Sequence, residues 1–291
     1  MITRRFWFAA ALFAAAAALF AAAAAHAQNY PQRAVRLVVP YVPGGGTDFT
    51  ARVIAPKLSE ALGQQVVVEN RPGGGTNIGS DLVAKAAPDG YTLLMAGAAN
   101  AINMSLYAKL PYDTLRDFAP VSLSVKGANV LLVHPSLPAK NLKELLALAR
   151  AQPGKLNYAS SGIGSANHMA GELLKLVAKV NIAHVPYKGN APALTDLIGG
   201  HVEILISGVP AVIGQIKNGR VRAIAIASLK RFPALPDTPT IDESGLKGFE
   251  ATTWFGVMAP IKTPREIVTR LNSDLARITV AADVRERFIG E

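Results

Sequence analysis

One pattern recurs along the chain and constrains its fold more than any other feature. From Ala34 onward an apolar, β-rich run is followed by a break of Gly, Ala, Ser or Thr, and then by a helix-like stretch. Such alternation predicts parallel sheets flanked by helices, an α/β fold. The first instance is a strand over 35–41, the break PGGGTD over 43–48, and an amphipathic run over 49–62 closed by Gly63. A strand over 65–69, the break NRPGGGTNIG and a helix over 80–87 follow, then a strand over 91–96, a break over 97–100 and a helix ending near Leu106.

A second series begins after Phe118-Ala119-Pro120. Strands are predicted over 130–133, 156–159, 183–185, 204–206 and 221–227, with a helix capped by Asn141 and another running from His168 to about Lys179. The Pro-rich stretch RFPALPDTPT reads as a surface loop, residues 253–258 as a return strand, and Pro264 as the start of a last helix. The expected organisation is therefore a discontinuous first domain (28–124 and 251–291) around a second domain (125–250).

Residues 1–27 stand apart. Arg4 and Arg5 precede an apolar, alanine-rich run, and Ala25-His26-Ala27 forms a small-x-small cleavage site, which predicts an export leader cut after Ala27 and a periplasmic mature protein. An uncleaved anchor is the alternative, since twenty apolar residues can span a bilayer. Without the leader the 50% hydrophobic share falls to about 46%, an ordinary globular value. The formal charge of +10 loses Arg4 and Arg5, and the remaining Lys and Arg are scattered without interleaved aromatics, so no nucleic-acid partner is expected. With no cysteine in the chain, disulfides, thiolate metal sites and cysteine nucleophiles are excluded.

The breaks carry the chemistry. A Gly-rich turn at a helix start offers unpaired N–H groups and the positive end of the helix dipole to an anion. In open α/β sheets such turns collect at the carboxyl ends of the strands, where ligands bind. Four breaks qualify: Gly44 to Thr47, Gly97 to Ala99, Ser160 to Ser165, and Ser207-Gly208. Together they suit a carboxylate or another small anion. The dinucleotide fingerprint fails, because Phe49, Ile78 and Asn167 occupy its final glycine position, and the Walker loop fails because no glycine is followed by Lys and then Ser or Thr. No cofactor is expected. Neither Ser161 nor Ser165 fits a nucleophile elbow, since Ala159 and Ile163 stand two residues before them. His134, His168, His184 and His201 show no close metal spacing, so no metal is expected either. His168 is either a helix-start residue bonded to the backbone or a group close to the ligand, and Asp48 reads equally well as a helix N-cap.

Several long segments then resemble one family: YPQRAVRLVVPYVPGGGTDFTAR (30–52), VVVENRPGGGTNIGSDLVAKAAPDGYTLL (66–94), LYAKLPYDTLRDFAPVS (106–122), NYASSGIGSANHMAGELL (157–174) and VPYKGNAPALTDLIGGHVE (185–203). In order and spacing they are similar to the Bug or TctC receptors of tripartite tricarboxylate transporters. The resemblance implies a type II periplasmic binding protein, two α/β domains joined by a hinge around a ligand cleft. It also implies capture of a small organic acid for delivery to membrane transporter subunits, without catalysis and as a monomer.

Carried onto this chain, the resemblance makes Tyr41, Gly44, Gly45, Gly46, Thr47 and Asp48 one gripping loop and Ser160, Ser161, Gly164 and Ser165 the opposite one. Ala98, His168 and Ser207 complete the expected ligand set. Two departures matter. Where many relatives place an Asp, this chain has Ser207-Gly208, which predicts a non-amino acid as ligand; tight binding of aspartate or glutamate, with no response to plain carboxylic acids, would refute it. Relatives also continue past the segment DVRERFIGE, so a first domain cut short at Glu291 is expected. A ligand-sensing co-receptor for a two-component sensor is the alternative role, and an exported serine hydrolase using Ser161 or Ser165 is a more distant one.

Overall fold

The computed structural model describes residues 30–289; the expected leader and its cut after Ala27 lie outside the described residues. The first half runs β1 (Val35–Val39), α1 (Gly46–Leu62), β2 (Val66–Asn70), α2 (Asn77–Ala84), β3 (Thr92–Gly97), α3 (Ala98–Leu106) and β4 (Phe118–Gly127). The second runs β5 (Asn129–Val133), α4 (Leu142–Ala151), β6 (Asn157–Ser160), α5 (Ala166–Ala178), β7 (Ala183–Pro186), α6 (Asn190–Ile198), β8 (Ile204–Gly208), α7 (Ile213–Lys217) and β9 (Arg222–Ile226). The chain then returns through β10 (Thr253–Pro260), α8 (Arg265–Val280) and α9 (Ala282–Ile289).

These strands form two five-stranded sheets, ordered β2-β1-β3-β10-β4 and β7-β6-β8-β5-β9. Neither is purely parallel, contrary to what the alternation predicts. β10 runs antiparallel to β3 and β4, and β5 runs antiparallel to β8 and β9. The reason is topological: in each sheet the reversed strand is the one that arrives directly from the other sheet, so it needs no crossover helix to set its direction.

Period-two packing gives each sheet two covered faces. Leu37, Val39, Leu93 and Met95 pack with α1 and α8 on one face of the first sheet, while Val38, Leu94 and Ala96 meet Val83, Tyr112 and Phe118 on the other. In the second sheet Leu131 and Val133 face α4 and α5, and Val130 and Leu132 face α6. Fully burying each such Leu or Val contributes roughly 1.5–3 kcal/mol.

β4 is the strand that the sequence hides. Pro120 and a half-exposed, polar run make it read as a boundary, yet it is a ten-residue edge strand, where a missing N–H is tolerated. Its register against β10 shifts twice, and a Cβ at Gly256 would lie 2.5 Å from the Ser122 carbonyl, which keeps that position a glycine.

The two crossings between sheets, Gly127 to Asn129 and Ile226 to Thr253, lie side by side. Asn129 Nδ2 donates to the Ala251 carbonyl (2.8 Å), Ala227 N–H donates to the Asn129 carbonyl (2.8 Å), and Ala251 N–H donates to the Ala227 carbonyl (2.8 Å).

Candidate functional site

In both sheets the parallel strands end facing the crevice between lobes, so the turns that follow them meet there. Four helices start at this point. The first residues of α1 (Gly46, Thr47), α3 (Ala98, Ala99), α5 (Ala166, Asn167) and α6 (Asn190) line one cavity of about 40 Å³. Tyr41, Gly45 and Ser161 come from the turns, Gly97 and Gly208 from the ends of β3 and β8, and Asn129, Thr253 and Phe255 from the two reversed strands. Among the described residues, none of the lining side chains is charged. First-turn amides have no acceptor within their helix and carry the positive end of its dipole. Four such ends around one neutral cavity make a site for an anion.

Of the residues expected from sequence, Tyr41, Gly45, Gly46, Thr47, Ala98 and Ser161 line this cavity. Gly44, Asp48, Ser160, Gly164, Ser165, His168 and Ser207 are absent from its lining and form the framework behind it. Asp48 is not an N-cap: α1 starts at Gly46, Gly45 is the cap, and Asp48 sits in the first turn. Its carboxylate accepts from Gly44 N–H (2.9 Å), Asn70 Nδ2 (2.9 Å) and Arg52 Nε (3.0 Å), which leaves it occupied within its own lobe. Burial alone would raise its pKa, but the bonds from Arg52, the Gly44 amide and Asn70 prevail and hold it below the usual carboxylate range. Gly44 is in the left-handed region (φ +90°), and a Cβ there would come within 3.1 Å of Ala191 Cβ, so the first loop crosses closely over α6.

The second loop is held in a comparable way. Ser165 caps α5 by accepting from His168 N–H (3.2 Å), and Gly164 N–H donates to His168 Nδ1 (3.3 Å). His168 therefore takes the backbone-bonded role, with its ring stacked on His184 (centroids 4.2 Å) and His184 stacked in turn on Tyr158 (4.8 Å). Ser160 is fully buried, and its hydroxyl meets His184 Nε2 at 2.7 Å. Ser161 Oγ instead donates to Asn167 Oδ1 (3.4 Å). Thus the serines proposed for hydrolysis, Ser161 and Ser165, are bonded to an amide side chain and a backbone N–H. Ser207 is buried within β8, one residue before the wall that Gly208 supplies.

The wall also includes residues that the sequence reading passes over. Gly97 and Ala99 belong to a break already noted, and Gly208 follows Ser207, so their signal is present in the sequence. Asn167 sits inside the second-loop motif and donates to the Ile206 carbonyl (2.5 Å). Asn129, Thr253 and Phe255 reach the site only because the reversed strands start there. Asn190 is 5% exposed, and neither its Nδ2 nor its Oδ1 has a partner.

A larger crevice of about 370 Å³ adjoins the cavity and shares Tyr41 and Ser161 with it. Its other walls include the glycine turn Gly73 to Thr76, Tyr107, Ile163 and Tyr187, with the exposed Lys188.

Two α/β lobes, two adjacent crossings and a ligand-sized cleft at the strand ends define a bilobed solute-binding protein of the type II periplasmic class. Within that class the match is specific. The chain belongs to the tripartite tricarboxylate transporter family of receptors, TctC, whose profile matches residues 50–288. It is 41% identical over 267 residues to protein BugT of Bordetella pertussis, spanning 91% of this chain and 82% of BugT. The R. palustris protein Rpa4515, solved with adipate, is 42% identical with a TM-score of 0.87, covering 90% of this chain and 88% of its own. MatC (Rpa3494) from Rhodopseudomonas palustris, solved with bound malate, is 36% identical with a TM-score of 0.85 and 90% coverage of each chain.

Proposed function

We propose that this protein is a periplasmic receptor that captures a small organic acid between its lobes and delivers it to the membrane subunits of a tripartite tricarboxylate-type transporter. It acts as a monomer and without catalysis. Its first domain comprises residues 28–124 and 251–291, its second comprises 125–250, and the export leader ends at Ala27. The observation that carries the reading is the convergence of four helix N-termini on one cavity with no charged side chain in its lining.

The carboxylate of the acid occupies that inner cavity, and the rest of the ligand extends into the adjoining crevice. An anion at a partly buried helix N-terminus gains up to about 2 kcal/mol. Hydrogen bonds to an ionised carboxylate are roughly twice as strong as neutral ones. An ammonium group would find no counter-charge in the inner cavity, which supports a non-amino ligand. The dicarboxylates held by the two Rhodopseudomonas proteins belong to the same chemical class.

A thermal-shift screen of mono-, di- and aromatic carboxylic acids, each beside its uncharged amide, tests the reading. One or a few acids should raise the melting temperature with their amides inert, because a ligand bound only by the native state stabilises it. A panel in which no acid shifts the transition would contradict it.

A further inference from the structure

The second-lobe loop is held from behind by an imidazole that can hold it in one protonation state only. Gly164 N–H donates to His168 Nδ1 at 3.3 Å. A backbone amide always donates, so Nδ1 is unprotonated and the neutral ring carries its hydrogen on Nε2. A second proton on the ring would set N–H against N–H and remove the bond. The bond secures a contact between lobes. Gly164 is left-handed (φ +80°), and a Cβ there would run into Asn103 and come within 3.1 Å of Leu106 Cδ2, both on α3 of the first lobe. Its neighbours Ser161 and Ile163 line the cavity and the adjoining crevice.

The other histidine of the stack tolerates a proton where it touches the loop. His184 Nε2 meets Ser160 Oγ at 2.7 Å; a charged ring donates there, and the serine hydrogen turns to the Gly162 carbonyl at 3.3 Å. With the two ring centroids 4.2 Å apart, a proton on one imidazole opposes a proton on the other. The titratable groups around His168 are His184 from β7, Tyr158 beyond it from β6, and Glu172 and Lys175 on α5 itself, the last two paired at 2.9 Å. Burial, opposed by Glu172 and aided by Lys175, places the pKa of His168 below 6.5. The ring is therefore neutral, and the Gly164 bond intact, at neutral pH.

We propose that His168 is a positioning residue that couples capture of the acid to pH: neutral, it holds the loop in its gripping shape, and protonated, it releases Gly164 and the acid binds more weakly. The direction separates this role from simple charge attraction. A cation merely placed beside an anion site would tighten binding as pH falls. Release of the loop does the reverse: affinity is full above pH 6.5 and declines once the ring titrates, by at most about tenfold per pH unit for one proton. The inference rests on the carboxylate reading of the cavity.

Two replacements of equal size separate the acceptor from the ring. His168→Asn puts an amide oxygen at the Nδ1 position and cannot titrate, whereas His168→Leu accepts nothing. Calorimetry between about pH 8 and about pH 4.5, with circular dichroism at each pH, uses whichever of malate, succinate, adipate and benzoate binds the wild-type protein most tightly; the acid's own ionisation acts alike on all three proteins. At about pH 8 H168N should bind within about twofold of wild type and H168L about 3- to 10-fold more weakly. Toward the acid limit the wild type should lose at least about threefold in affinity relative to H168N, starting where the His168 ring and the Gly164 amide titrate together in nuclear magnetic resonance spectra of the ligand-free protein. A wild-type to H168N ratio that stays flat or rises on acidification, or an H168L protein equal to wild type, would overturn the positioning role alone. Binding of none of the four acids would overturn the carboxylate reading and the coupling with it. A Gly164 amide that does not follow the His168 ring would overturn the inference whether or not any acid binds or either variant folds.

Discussion

Tyr158, His184 and His168 stack in a row behind the second-lobe loop, with Glu172 accepting from the Tyr158 hydroxyl (2.6 Å) and from Lys175 (2.9 Å). Burial, followed by the neighbouring His168, lowers the pKa of His184 from 6.5 to about 4. Because the fold disfavours the proton, His184 has no effect on stability above about pH 6.5. As pH falls below that value the unfolded chain takes up a proton that the folded chain refuses. Stability is therefore lost progressively until about pH 4, and this group adds no further loss below it. His184→Gln should flatten the fall in melting temperature between those limits; parallel curves for the two proteins would contradict this. The same residues show what sequence conveys at this scale. Ser160, Ser161 and Ser165 are legible as one loop, but their separate tasks are not, because adjacent hydroxyls look alike until the fold places an imidazole, an amide or a helix start beside each. Asn190 is missed for a related reason: an asparagine after a glycine reads as an ordinary helix start.

The strand-break-helix alternation places most elements within a few residues, since central strands such as β3 and β5 are continuous apolar runs. Helix starts are read late. Gly46, Thr47, Ala98 and Ala99 add no apolar periodicity, yet they form the first turns of α1 and α3, and those turns line the site. Strand direction is not legible, because a reversed strand has the same composition as a parallel one. For that reason Asn129 and Thr253 go unnoticed. Gly45 offers a test of the convergence of elements. Its backbone is extended (φ −92°, ψ 173°), so a larger residue meets no backbone strain, but a Cβ there would lie 3.5 Å from Asn190 Cβ, between α1 and α6. Gly45→Leu should keep the fold by circular dichroism and weaken binding of the acid at least about 100-fold, in line with the loss of a site that depends on close backbone approach. Wild-type affinity in this variant would place the site elsewhere.

Across the whole molecule, two lobes of the same sheet order are tied together where their crossings run side by side, and the Asn129 side chain belongs both to that junction and to the cavity wall. A ligand gripped by helix ends from both lobes favours the closed arrangement by as much as it prefers closed over open. Two lobes and a cleft are legible in the sequence because the pattern restarts after Pro120, whereas the junction depends on residues 122 positions apart. The central claim is that a carboxylate sits on the first turns of α1, α3, α5 and α6. Titrating isotopically labelled protein with the best-binding acid, while following backbone amide resonances, tests it most directly. The largest shifts should fall on the amides of Gly46, Ala98, Ala166 and Asn190 and their first-turn neighbours in both lobes; saturable binding that leaves those amides unmoved would contradict the account.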